Sequence, residues 1–225
     1  TADTDAVKTD TDTLTADIKA GDTWTLQQKL TLSAINNQGA KYGTAVAITS
    51  DGKRLFSSAP GIDRLQRASG LVVQHDYNTT DTTWEVTTNI AQNATVDDQS
   101  FGANLDVSSD GNTLAVGAIT DTFKETATFD AGDTSFDGSA TQFIDDVIRG
   151  GNVYVYQGIE KHYIPVQTLD NNFIDTDDRF GSEIRVNDNK IFVGMPLDDN
   201  NSNTDAGRVF AVSYTHLTLP TKVRV

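Results

Sequence analysis

Apolar and polar residues alternate in short runs along this chain, and the runs recur as a set. Three aromatic–glycine pairs anchor the sets: Tyr42-Gly43, Phe101-Gly102 and Phe180-Gly181. Apolar residues stand three and five positions after each glycine: Val46 and Ile48, Leu105 and Val107, Ile184 and Val186. Alternation at period two predicts a half-buried strand. Asp51-Gly52, Asp110-Gly111 and Asp188-Asn189 follow, and such pairs between alternating runs predict a hairpin turn. The second strand of each set is LFSSAP (55–60), LAVGAI (114–119) or IFVGMP (191–196). Ser58, Gly117 and Gly194 fall at one equivalent position there, where a small residue suits close backbone approach. A third strand opens after Gly70, Gly151 and Gly207. A fourth carries an aromatic residue and an apolar one six later: Trp24 and Leu30, Trp84 and Ile90, Tyr163 and Leu169.

Four short strands per unit, with anchors 59 (43 to 102) and 79 (102 to 181) residues apart, predict an all-β chain. The architecture expected is a β-propeller fragment: about three four-stranded antiparallel blades forming an open arc. Residues 1–32 would end a preceding blade, with Leu14 and Ile18 a weak trace of its third strand. Blade one spans 33–90, blade two 91–169 with a long insertion at 120–150, and an incomplete blade three 170–211. The fourth strand should be outermost, because Pro165 lies inside it and proline is tolerated at a sheet edge. Residues 212–225 are set apart, because VSYTHLTLPT (212–221) resembles the translation of a transposase adapter used in sequencing libraries. The natural protein is therefore expected to continue past this point and to begin before Thr1. A fragment of that kind would leave its end faces uncapped and be marginal in solution.

Composition narrows the partners. Lys+Arg number 17 against 32 Asp+Glu, a net charge of −15, which repels nucleic acid and anionic membrane. Cysteine is absent, so no disulfide framework exists and the redox compartment stays open. No apolar run approaches the roughly 18 residues a spanning helix needs.

The strings FGANLDVSSDGNTLAVGA and FGSEIRVNDNKIFVGMP, with the weaker YGTAVAITSDGKRLFSSAP, resemble the FG-GAP repeat family. GGNVYVY and TWTLQQKL fit it too, and the resemblance covers roughly residues 13–211. That family is known from the integrin α-subunit propeller and from bacterial and viral surface proteins. The resemblance implies a propeller used for recognition or adhesion in an extracellular, cell-surface or virion protein. Many family members place a D-x-D-x-D-G-x-x-D calcium loop between the first two strands. Here those turns read TSDGKR, SSDGNT and VNDNK, without the alternating carboxylates that would supply about six oxygen ligands. Asp51, Asp110 and Asp188 are therefore read as turn formers, and no cofactor is carried over.

Meander topology groups the long connections (61–69, 91–100, 120–150, 170–179 and 197–206) on one face, the usual place for binding. The expected ligand there is a protein or a glycan. The 120–150 loop is the most unusual, with Phe129, Phe136 and Phe143 seven apart and Asp130 and Asp137 after the first two. It reads as short extended pieces with the Phe side chains in a small satellite core, or as an arm that meets a partner. Asp198, Asp199 and Asp205, with nearby asparagines, offer oxygens for a cation but lack the glycine of an EF-hand loop, so a solvated loop is preferred. Asp175, Asp177 and Asp178 are read the same way. Trp24 and Trp84 repeat in register and read as core or seam residues. His75, His162 and His216 are scattered, and no hydrolase, zinc or nucleotide motif occurs. A non-catalytic scaffold is the expectation. The alternative is part of a propeller hydrolase or lyase whose catalytic residues lie outside these residues.

Overall fold

A computed structural model describes residues 26–32, 38–63, 69–92, 99–120, 123–124, 147–148, 150–169, 177–187, 189–199 and 203–214. The chain divides into two units, Thr1–Leu30 and Thr31–Val225. All regular structure among the described residues is β, and it lies in the second unit. No helix there is long and apolar enough to cross a membrane.

Three antiparallel sheets follow one another along the chain. The first runs in the order β1 (Val46–Ile48), β2 (Arg54–Ser58), β3 (Val72–Asn78), β4 (Thr83–Ile90). The second pairs β5 (Phe101–Val107), β6 (Thr113–Ala118), β9 (Asn152–Ile159) and β10 (His162–Leu169) in that order. Between β6 and β9 the chain makes a separate two-stranded ribbon, β7 (Phe123–Lys124) with β8 (Val147–Ile148). The third sheet is β11 (Glu183–Asn187), β12 (Lys190–Met195) and β13 (Arg208–Ser213). No sheet closes on itself. β13 continues through Ser213, two residues into the adapter-like segment, with Val212 opposite Ile191.

The turns between the first two strands of each sheet show why Asp-Gly stands there. The Asp51 carboxylate accepts from the Thr49 hydroxyl at 2.6 Å and the Lys53 N–H at 3.0 Å. Asp110 repeats this with Ser108 at 2.6 Å and Asn112 at 2.9 Å. Gly52 and Gly111 then turn through the left-handed region at φ 66° and 73°. These hydrogen bonds hold both carboxyls below the usual carboxylate range. Asp188 lies outside the described residues.

β4 and β10 are edge strands, as the position of Pro165 requires, and the β10 register slips between Pro165 and Gln167. Two expectations need correction. Residues 26–32 form no strand; Trp24 lies outside the described residues. Val46 and Ile48 are not half-buried but 63% and 51% exposed, because no sheet among the described residues lies over them.

The core lies between sheets. Phe56, Val72 and Ile90 of the first sheet pack on Phe101, Leu105, Val107, Leu114 and Tyr163 of the second. Val153, Val155 and Leu169 of the second pack on Phe180, Ile184, Ile191 and Val193 of the third. A smaller cluster of Ala40, Ala59, Ile62, Leu71 and Val73 fills the loop end of the first sheet's other face. The first and second sheets are thus each covered by their successor.

Candidate functional site

The aromatic–glycine anchors build the junctions between sheets. Phe101 and Phe180 are fully buried, and each following glycine adopts a positive φ, 90° at Gly102 and 93° at Gly181. A Cβ on Gly102 would lie 2.8 Å from the Ser58 Cβ, and one on Gly181 3.3 Å from the Gly117 Cα. Gly117 answers from the opposite side: a Cβ there would stand 2.5 Å from the Gly181 carbonyl oxygen. Gly70 and Gly151 likewise press on the backbones of Phe101 and Phe180, at 2.1 Å and 2.3 Å from an added Cβ to the carbonyl oxygens. At these glycines the two junctions therefore match position for position. Gly194 holds the third equivalent position, and among the described residues no following sheet lies against it. Tyr42 departs from Phe101 and Phe180, being half-buried with its hydroxyl engaged by polar groups.

Three further features of the junctions are not evident in the strand pattern. Asn104 Oδ1 accepts the Ile184 N–H at 3.1 Å and Asp106 Oδ2 accepts the Val186 N–H at 2.7 Å, tying β5 to β11. The only trace in the sequence is polar residues two and four places after Gly102, where the first set has Ala45 and Ala47. Tyr163 crosses to the first sheet, edge-on to Phe56 at 5.1 Å and beneath the Arg54 guanidinium at 5.8 Å, and its hydroxyl donates to the Gly111 carbonyl. Burial pushes the Tyr163 phenol up. Arg54 pairs with Asp76 at 3.0 Å. Burial opposes that carboxylate, but hydrogen bonds from Gln74 and Arg54 outweigh it and hold Asp76 below its ordinary value. Trp84, the register equivalent of Tyr163, is half-buried against Tyr77 at 5.2 Å.

A polar cluster lies on the other face of the first sheet. His75 Nε2 meets the Tyr42 hydroxyl at 2.7 Å and Ser57 Oγ at 3.2 Å, and Ser57 donates to Tyr42 at 2.6 Å. His75 is 1% exposed, its Nδ1 has no partner among the described residues, and burial pushes its pKa down.

The long connections all leave and re-enter at one end of the sheets, opposite the Asp-Gly turns, because every neighbouring pair is antiparallel. The longest leaves after Ala118 and returns at Asn152, its direct partner, and the ribbon continues outward through Phe123 opposite Ile148. Phe129, Asp130, Phe136, Asp137 and Phe143 lie outside the described residues, as do Asp175 and His216. Asp198 does not face solvent: it is 1% exposed, and its Oδ2 meets Arg208 at 3.0 Å as an ion pair without hydrogen-bond alignment. Arg208 in turn lies over the Phe210 ring at 5.9 Å. Asp199 Oδ1 accepts the Asp205 N–H at 2.8 Å, and the Gly207 N–H reaches the Asp198 carbonyl at 2.9 Å. These carboxylates close the loop on itself. Among the described residues no three His, Cys, Asp or Glu side chains converge on a point that could hold a metal ion.

No protein-family model matches the chain, and no curated protein matches it at a significant level.

Proposed function

We propose that this chain is a run of blades from an FG-GAP-type β-propeller, serving as a non-catalytic recognition or adhesion scaffold within a larger surface or virion protein. The observation that carries the reading is the repetition of the junction, in which Phe101-Gly102 and Phe180-Gly181 each seat against the small residue and the third strand of the preceding sheet. Sheets that bury a core only against their neighbours are what a propeller is made of. The long connections leave from one end of such a stack, and loops grouped at one end of a sheet scaffold are the usual place to hold a ligand, here a protein or glycan. The short Asp-Gly turns at the opposite end have their carboxylates engaged by their own backbones.

The test is a binding screen of the whole chain on arrays of glycans and extracellular proteins, followed by two sets of substitutions. Binding lost on changing the exposed Asp63 in the β2–β3 connection, or on excising 125–146, supports the reading, provided that Asp81 and Glu160 at the opposite end can be replaced without effect. Binding that follows the Asp81 and Glu160 end instead, or no binding on any array, would sink it.

A further inference from the structure

The first sheet departs from the other two at three positions that meet in space. Where they have Phe101 and Phe180, it has Tyr42; where they have Val116 and Val193, it has Ser57; where they have Tyr156 and Val212, it has His75. Phe101, Val116 and Tyr156 are buried in the apolar core of the second sheet. Tyr42, Ser57 and His75 form a polar trio instead, beside the cluster of Ala40, Ile62 and Leu71 on which Tyr42 packs. Ser57 and His75 are 3% and 1% exposed. Buried polar groups placed where the repeat elsewhere uses apolar ones cost stability, and departures of that kind mark function. The hydrogen bonds fix the protons. Ser57 Oγ donates to the Tyr42 hydroxyl at 2.6 Å, so that hydroxyl donates to His75 Nε2 at 2.7 Å and the neutral ring carries its proton on Nδ1. A second proton would turn Nε2 from acceptor to donor and set a full charge in a buried site. No charged group on the packed elements meets it. Arg54 of β2, Asp76 of β3 and Glu85 of β4 hold the next register position and point to the sheet's other face, where Arg54 and Asp76 pair at 3.0 Å. Lys41, beside Tyr42, is exposed. The field of Asp76 favours a charged ring, but burial outweighs it. The charge is relieved by water, which reaches Nε2 once Tyr42 leaves it.

Tyr42 in turn holds the loop end in place. Its own segment is strained, with Lys41 at φ 55° although it is not a glycine. The Ala40 carbonyl accepts the Gly61 N–H at 3.1 Å, and a Cβ on Gly61 would lie 2.1 Å from the Gly39 carbonyl oxygen. Gly61, Ile62 and Asp63 open the β2–β3 connection, so a continuous chain of contacts runs from His75 to that loop. We propose that Tyr42, Ser57 and His75 form an acid-released latch on the loop end: protonation of His75 expels Tyr42, loosens residues 39–43 with the start of the β2–β3 connection, and weakens ligand binding there. The direction follows from linkage. The open latch exposes the ring and binds the proton more tightly than the closed one, so opening is favoured as pH falls through the ordinary histidine value of about 6.5 and below it. This step rests on the recognition reading, but its first test needs no ligand.

The experiment is native-state hydrogen exchange on the full chain at about pH 7.5 and about pH 5, on either side of the ordinary histidine value. Each amide rate is divided by its rate in unstructured chain at the same pH. The amides of Gly43 and Gly61, bonded to the Ser58 and Ala40 carbonyls, report the latch, and those of Leu114 and Val116 in β6 report the rest of the stack. Protection at Gly43 and Gly61 should fall severalfold at the lower pH while Leu114 and Val116 hold, and in His75→Gln it should not fall. If that variant loses its circular-dichroism spectrum, His75→Val, with the residue of the third sheet's equivalent position, takes its place. Protection that is unchanged in the wild-type chain, that falls equally in the variant, or that falls alike at Leu114 and Val116 overturns the latch. For a ligand found in the screen, affinity should drop severalfold between the same pH values in the wild-type chain and stay level in the variant. An affinity equal at both pH values overturns the link to binding. A screen without binders leaves the exchange result untouched, so the latch and the recognition reading fail separately.

Discussion

Gly117 and Gly194 share a register position but not an environment, which makes them a sharp test at the level of one methyl group. A Cβ on Gly117 would stand 2.5 Å from the Gly181 carbonyl oxygen, a backbone atom that cannot move aside without opening the junction. On Gly194 the nearest atom is the Cβ of Glu183 at 3.3 Å, which needs a shift of only a few tenths of an ångström in a strand at the edge of its sheet. Gly117→Ala should therefore destabilise the chain by about 1–3 kcal/mol through overpacking. Gly194→Ala should stay within about 0.5 kcal/mol. Urea unfolding at low protein concentration checks this, and equal costs would refute the junction geometry. His75 supplies a second test. Its folded pKa is depressed from 6.5 because the ring is buried with Nε2 facing two hydroxyls. The unfolded chain then binds more protons as pH falls below about 6.5, so stability is complete above that value and declines beneath it, down through the folded pKa. His75→Gln should lower the baseline but flatten the profile between about pH 7 and 5, a window above the ordinary carboxylate range. A profile equally steep in the variant would assign the pH dependence elsewhere.

At the scale of elements, the antiparallel sheets were legible because their signals are local. Period-two runs such as Leu114–Ala118 and turn pairs such as Asp110-Gly111 need no neighbour to be recognised, and the edge position of β10 follows from one proline. What a sheet packs against is not local. Val46 and Leu105 look alike in their runs, yet one is bare and the other buried, because only the second has a sheet in front of it. The same limit hid the Asn104 and Asp106 bonds to β11, and the Asp198–Arg208 pair that occupies a loop readable as a cation site. The long excursion between β6 and β9 was legible as an insertion, and its neck permits a prediction. Ala118 lies opposite Asn152, and Lys124 opposite Val147, so the chain enters and leaves side by side. Replacing residues 125–146 by a short Gly-Ser turn should leave the thermal midpoint within a few degrees, since each doubling of loop length costs only about 0.6 kcal/mol. A midpoint lowered by tens of degrees would mean that Phe129, Phe136 and Phe143 belong to the main core.

Across the whole molecule, stability should be graded along the stack. Sheets that touch only their neighbours behave as a one-dimensional series, in which a unit's stability depends on how many of its faces are covered. The second sheet is covered on both: Leu114 and Val116 face the first sheet, Ala115 and Val155 face the third, and all four are buried. The third sheet has one covered face and one bearing Val209 and Phe192 in the open. The first has its successor on one side and, on the other, the loop-end cluster of Ala40, Ile62 and Leu71 and the Tyr42–Ser57–His75 cluster, which leave Val46 and Ile48 of β1 in the open. Local opening should therefore require the most free energy in β6 and β9 and less in β13 and β1. Native-state hydrogen exchange at low concentration should place the slowest amides at Leu114–Val116 and Val153–Val155, with those of Val209–Val212 and Val46–Ile48 at least tenfold faster. Uniform protection across all three sheets at low concentration would instead mean that the stack unfolds as one cooperative body, and would remove the argument that each junction contributes separately.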